Sequence, residues 1–100
     1  MIALSERQLE TTRGILARRL AGCEVVAFGS RVNGGARPSS DLDMAVIGRE
    51  RMDFSELLRL KDDFAESDLP FRVDVVDWHR ADPGFREIIR KSGETLARIP

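Results

Sequence analysis

Three aspartates and one Gly-Ser pair are the residues of this chain whose type and spacing point to chemistry. Gly29-Ser30 follows a short apolar run, ten residues intervene, and Asp41 and Asp43 then stand at positions i and i+2. Strand alternation puts such a pair on one face, roughly 6–7 Å apart. That separation suits two divalent ions about 3.5–4 Å apart that share carboxylate oxygens. Two carboxylates so placed repel each other unless a cation or a donor stands between them. Asp74 lies among Val73, Val75 and Val76, where an acid is expected to be buried and to need a partner. If its strand neighbours that of Asp43, Asp74 completes a three-carboxylate metal site; otherwise Arg72 or Arg31 is its ion-pair candidate. At Gly29 the missing side chain lets another group approach the backbone. The amides beyond it and the Ser30 hydroxyl can cradle a phosphate if a helical turn begins there. Arg31 and Arg37, interleaved in the same loop, are candidates to hold a triphosphate or the aspartate cluster.

The elements that must position these residues follow from the pattern around them. Ser5 and Gln8 form a capping box, and Leu9, Ile15, Leu16 and Leu20 recur at helical spacing, which predicts a helix from Glu6 to Ala21 with Gly22 as its stop. Glu24–Phe28 reads as a buried strand. Residues 29–40, rich in Gly, Ser, Asn and Pro, form a loop with one short helical turn. Strand two runs from Asp41 to Ile47, with Leu42, Met44 and Val46 on one face and Asp41, Asp43, Ala45 and Ile47 on the other. Asp53 caps a second helix carrying Leu57, Leu58, Leu60 and Phe64 and ending near Ser67. Strand three spans Phe71 to Trp78, with Asp74 and Val76 facing away from Val75 and Asp77, so Asp77 reads as structural. Asp82-Pro83 starts a last helix, striped by Phe85, Ile88 and Ile89 and closed by Gly93. Helix, strand, loop, strand, helix, strand, helix predicts an α/β or α+β domain with a small mixed sheet flanked by helices.

Composition narrows the choices further. One hundred residues suit a single domain, 1–100, and 42% apolar content supplies one core. The net charge of −1 argues against a nucleic-acid backbone as the direct ligand, which calls for a basic excess. It leaves room for a nucleotide whose charge is met by metal. One cysteine, Cys23, and one histidine, His79, exclude thiolate and His-rich metal sites; both read as structural. The early charges at Glu6 and Arg7 do not fit a secretory signal, and no apolar run is long enough to span a membrane, so a cytoplasmic chain is expected.

Singly, each feature has an ordinary reading: a turn at Gly-Ser, a solvated strand face at Asp41 and Asp43, a salt bridge at Asp74. Joined in this order they resemble the signature of the DNA polymerase β-like nucleotidyltransferase superfamily. The run Ala36-Arg37-Pro38-Ser39-Ser40-Asp41-Leu42-Asp43, the short chain and the late Val73-Asp74-Val75-Val76-Asp77 strand resemble its minimal nucleotidyltransferase (MNT) domains. Many of these pair with an all-helical HEPN protein as toxin–antitoxin modules. The resemblance implies the nucleotidyltransferase fold, with Gly29 and Ser30 on the β- and γ-phosphates of ATP. It further implies Asp41 and Asp43 on two Mg2+ ions and Asp74 on the catalytic one. Asn33 departs from the pattern, standing where a basic residue is common. The activity implied is transfer of AMP to a hydroxyl of the HEPN partner by an antitoxin. The alternative from another class is an antitoxin that neutralises its partner by contact alone. A small-molecule transferase of this family would need a second domain. A chain this small is expected to rely on a partner or a second copy of itself to complete the acceptor side.

Overall fold

The computed structural model describes residues 2–100. Its order is α1 (Glu6–Arg19), β1 (Cys23–Phe28), α2 (Ser30–Asn33), β2 (Leu42–Ile47), α3 (Phe54–Ala65), β3 (Val73–Asp77), a 3-10 turn (Trp78–Arg80), α4 (Pro83–Ser92) and β4 (Glu94–Ile99). Local chemistry sets most of these boundaries. Ser5 Oγ accepts from the Gln8 amide while Gln8 Oε1 accepts from the Ser5 amide, a reciprocal capping box. Leu20 leaves helical dihedrals and Gly22 turns at φ +64°, so α1 stops two residues short of Ala21. Asp53 and Asp82 cap α3 and α4, with Pro83 in the first turn of α4.

The strands form one mixed sheet in the order β3-β2-β1-β4. β1 runs antiparallel to β2 and β4, whereas β2 and β3 are parallel and joined across α3. The first sheet face packs Val25, Ala27, Leu42, Met44, Val46 and Val75 against Ile15 and Leu16 of α1 and Leu57, Leu60 and Phe64 of α3. Each such side chain withdrawn from water contributes about 1.5–3 kcal/mol. The second face is covered by less: Val26, Phe28 and Ala45 meet Trp78 and Ile89, with Phe85 packed edge-on to Phe28. Alternation along β2 and β3 therefore divides the residues as predicted, with Asp43 and Asp74 on the more thinly covered face.

Two expectations fail. Leu58 and Ile88 are not core; they are 44% and 58% exposed. Leu57, Leu60 and Phe64 already make the buried stripe of α3, and a neighbour in sequence is turned about 100° away from it. The predicted order also lacks β4. Glu94–Ile99 alternates poorly because its pairing with β1 shifts between Val25 and Val26, which breaks the period of two. Among its residues only Leu96 is fully buried.

Gly93 joins α4 to β4 under tight constraint. A Cβ there would collide with the Ile89 carbonyl oxygen and with Val26 Cγ1. The carbonyl belongs to helix backbone and cannot swing aside. Gly93→Ala should cost about 1–3 kcal/mol, read as a lower Tm; an unchanged Tm would show that the α4–β4 junction is looser than described.

Candidate active site

The site begins where β1 ends. Gly29 follows Phe28 with φ +80° and ψ −158°, a combination open in practice only to glycine. Its carbonyl accepts from the Val32 and Asn33 amides, both at 3.0 Å, which starts the single turn of α2. The amides of Ser30 and Arg31 head that turn, where helical amides lack an intrahelical acceptor. The expected helical turn at Ser30 is thus present. A Cβ on Gly29 would lie 2.5 Å from Asp43 Oδ2, so the Asp43 carboxylate rests against the Gly29 backbone.

Across the sheet the register is direct. Phe28 pairs with Asp43, and Asp43 pairs with Asp74 on the next strand, about 4.8 Å away. Asp41 lies just before β2, and the next amide, of Leu42, donates to the Arg72 carbonyl at 2.9 Å, which fixes where the parallel pairing starts. The Asp43 carboxyl is pushed above the usual aspartate range, first by burial and then by the charges of Asp74 and Asp41. The three aspartates therefore share one electrostatic environment. Asp74 corrects the expectation of burial: its side chain is 48% exposed, because it stands near the start of an edge strand. Its Arg72 partner, 3.7 Å away and more exposed still, adds little at that exposure.

An all-carboxylate set suits a hard divalent cation such as Mg2+ by both donor type and charge. Among the described residues no three His, Cys, Asp or Glu side chains are already closed around a metal position. Carboxylates that repel one another have no reason to close without a cation; the upward push on Asp43 comes first from burial, with the charges of Asp74 and Asp41 adding to it. Charge and chemistry both fit the group.

The arginines divide. Arg31, expected at a triphosphate or at the aspartates, is buried instead and is turned into the loop. Its Nε and Nη2 donate to the Ser40 carbonyl, Nη2 also to that of Pro38, and Nη1 to that of Ala3. A loop without ladder partners leaves carbonyls unpaired, and a guanidinium with five donors is the side chain able to gather several. In the sequence the one hint of such a need is the irregular, Gly-, Ser- and Pro-rich composition of the loop, which does not say which carbonyls lack partners. Arg37 has an exposed side chain, and its backbone is tied to Ser40 and, at 3.5 Å, to Arg31 Nη2. Among the described residues no ion pair links Arg37 to the aspartates. Phe71, read only as the start of a strand, lies under Arg31 with its ring centroid 4.0 Å from the guanidinium carbon.

The structural readings of other residues hold. Asp77 is buried and accepts from the Met52 and His79 amides. His79 Nε2–H donates to the Gly48 carbonyl at 2.7 Å. Cys23 is half-buried against the first core. A groove of ≈780 Å³ between α1 and the end of α3 lies on the opposite face, lined by mixed charges such as Arg18, Glu10 and Asp63. It lacks the single-sign cluster that marks the aspartate end. No helix among the described residues is long and apolar enough to cross a membrane.

The Gly29-Ser30 turn thus lies against aspartates on two parallel strands, and the family model described as "Polymerase beta, Nucleotidyltransferase" matches residues 14–99. The chain belongs to that nucleotidyltransferase family. It is 48% identical over 88 residues to a Haemophilus influenzae protein named "Probable protein adenylyltransferase MntA", covering 88% of this chain and 77% of that one. A toxin–antitoxin crystal structure with AMP-PNP contains a chain of TM-score 0.77 and 24% identity, covering 89% of this chain and 72% of that one. A tri-AMPylated Shewanella oneidensis HEPN toxin in complex with MNT antitoxin contains another, at TM-score 0.70 and 22% identity, covering 89% and 68%. These two likenesses show the fold: a four-stranded sheet flanked by helices, as in other nucleotidyltransferases.

Two expectations follow from the site. Gly29→Ala should cost about 1–3 kcal/mol of backbone strain and also displace the Asp43 carboxylate; an alanine variant of wild-type Tm would contradict the Gly29 geometry. Asp43→Asn should stabilise the metal-free protein. With a raised folded pKa, the Asp43 contribution to stability is fully present below the ordinary value of 3.8 and is lost as the pH rises through the raised one. In chelated buffer the variant should melt higher than wild type at pH 7, the two converging near pH 3–4 by the usual aspartate value, about 3.9. A lower Tm at pH 7 would refute the repulsion.

Proposed function

We propose that this chain transfers AMP from ATP to a hydroxyl group of a HEPN-type partner protein and acts as the antitoxin of that pair. The observation that carries the reading is the lateral row in which Asp43 meets Asp74, with Asp41 just upstream and the Gly29 turn touching Asp43. Support for the acceptor comes from the relatives: one is named a protein adenylyltransferase, and one solved neighbour sits beside a tri-AMPylated HEPN toxin. In this reading residues 1–100 form one minimal nucleotidyltransferase domain working in the cytoplasm.

The residues take the following roles. Asp41 and Asp43 would hold two Mg2+ ions, and Asp74 would hold one of them. Bound magnesium supplies neutralisation of triphosphate charge and Lewis-acid polarisation at the transferred phosphorus. The amides at the head of α2 and the Ser30 hydroxyl bind the β- and γ-phosphates, and Gly29 keeps that surface free of side chain. Arg37, exposed on the same loop, reaches toward the triphosphate, a role Arg31 cannot share. Asp74, whose side chain is about half exposed, takes the proton of the acceptor hydroxyl. That oxygen bonds to the α-phosphorus in line as the bond to pyrophosphate breaks. The acceptor approaches over the thinly covered sheet face, and the partner supplies the remaining walls of the site.

The test uses α-labelled ATP, Mg2+ and the HEPN-type protein of the neighbouring reading frame. Label should appear on the partner and fall at least about a hundredfold with Asp41→Asn or Asp43→Asn, since metal ligation supplies several kcal/mol. A chelator should abolish it. An unlabelled partner that is neutralised equally by wild type and variants would establish an antitoxin acting by contact alone.

A further inference from the structure

One buried side chain touches every segment that carries the site. Arg31 follows Ser30 in α2, so its backbone is part of the phosphate turn. Its guanidinium holds the carbonyl of Ser40, the residue before Asp41, with Nε at 3.0 Å and Nη2 at 2.8 Å. Nη2 also reaches the Pro38 carbonyl at 3.0 Å and, at the margin, that of Arg37 at 3.5 Å. The same cation lies over Phe71, three residues before Asp74. The amino-terminal segment closes the arrangement: Nη1 donates to the Ala3 carbonyl, and the Ala3 amide donates to the Arg31 carbonyl, both at 2.7 Å. Arg31 is 5% exposed, so these acceptors replace the water it has given up.

We propose that Arg31 is a positioning residue, a buried cation that sets the distance between the phosphate turn, Asp41 and the strand of Asp74, and so tunes the affinity of the three aspartates for a divalent cation. The inference rests on the proposed metal role of those aspartates. Two features make Arg31 suited to the task. Its fork is planar and reaches several carbonyls at fixed angles, which a lysine ammonium on a flexible stem cannot do. Its charge also interacts with that of Asp41: burial lowers the Arg31 pKa, and the Asp41 carboxylate raises it again.

The variants are Arg31→Lys, which keeps the charge and loses the fork, and Phe71→Leu, which keeps an apolar side chain and loses the stacked ring. Each is titrated with Mn2+ followed by its paramagnetic resonance signal, and its amide hydrogen exchange is measured over residues 37–43. Arg31→Lys should weaken Mn2+ binding about tenfold, the lower range seen when a residue behind metal ligands is lost, at unchanged stoichiometry. Exchange at Ser40 and Leu42 should quicken. A purely structural role would lower the number of competent molecules but not the affinity of each. Wild-type affinity and wild-type exchange in a folded Arg31→Lys protein would overturn the proposal. If Arg31→Lys does not fold, Phe71→Leu decides: faster exchange with weaker Mn2+ binding supports the role, and no change in either removes it. Should wild type bind no Mn2+, the metal reading fails by itself, and the affinity role assigned to Arg31 falls with it. Label transfer to the partner, scored separately, can fail while the Mn2+ result stands.

Discussion

Repulsion among three carboxylates is the constraint around which this molecule is arranged. Asp43 sits on the Gly29 backbone, beside Asp74 on the next strand and close after Asp41, and its proton is held more tightly than an ordinary aspartate holds one. The charges themselves disfavour that arrangement in the metal-free fold. It persists because the opposite face of the same strands is committed: Leu42, Met44, Val46 and Val75 are buried against α1 and α3. A one-residue slip of β2 would free Asp43 but would turn Leu42, Met44 and Val46 into water, at about 1.5–3 kcal/mol each. Packing on one face outweighs charge on the other.

Local backbone chemistry then brings the Gly29 turn to the carboxylates. Strand β1, buried from Val25 onward, delivers Phe28 opposite Asp43, and only a glycine can follow, both for its dihedral angles and for the space Asp43 fills. The loop beyond has no ladder to hold it. Its order comes from Ser40, whose hydroxyl accepts from the Arg37 amide, and from the Arg31 guanidinium. Burying that cation costs several kcal/mol, offset by charge-assisted bonds of about 1.5–3 kcal/mol each.

The uneven cover of the sheet has a functional counterpart. α4 and Trp78 close the second face over Val26, Phe28 and Ala45, while the start of edge strand β3 stays open at Asp74. In the proposed reaction, closure there would exclude an incoming hydroxyl, and openness leaves room for the acceptor to dock.

Much of this was legible in the amino-acid sequence, because it is written in local terms. Capping boxes, periods of 3.6 and of two, and Gly-Ser followed by Asp-x-Asp located α1, β1, β2, α3, β3 and α4 and put Asp41 and Asp43 together. Family resemblance, carried by the same motif, named Asp74 as the third member. Three things required the tertiary structure. The adjacency and register of β2 and β3 join residues far apart in the chain, and hydrophobic pattern alone does not choose a strand's neighbour. β4 was hidden because its bulge breaks the alternation by which a strand is recognised. The fate of Arg31 depended on which carbonyls the loop left unpaired, a quantity that exists only once the chain has closed around it. Which carboxylates are present was decided by the sequence; how near they stand, and what holds them there, was decided by long-range pairing and by a buried cation.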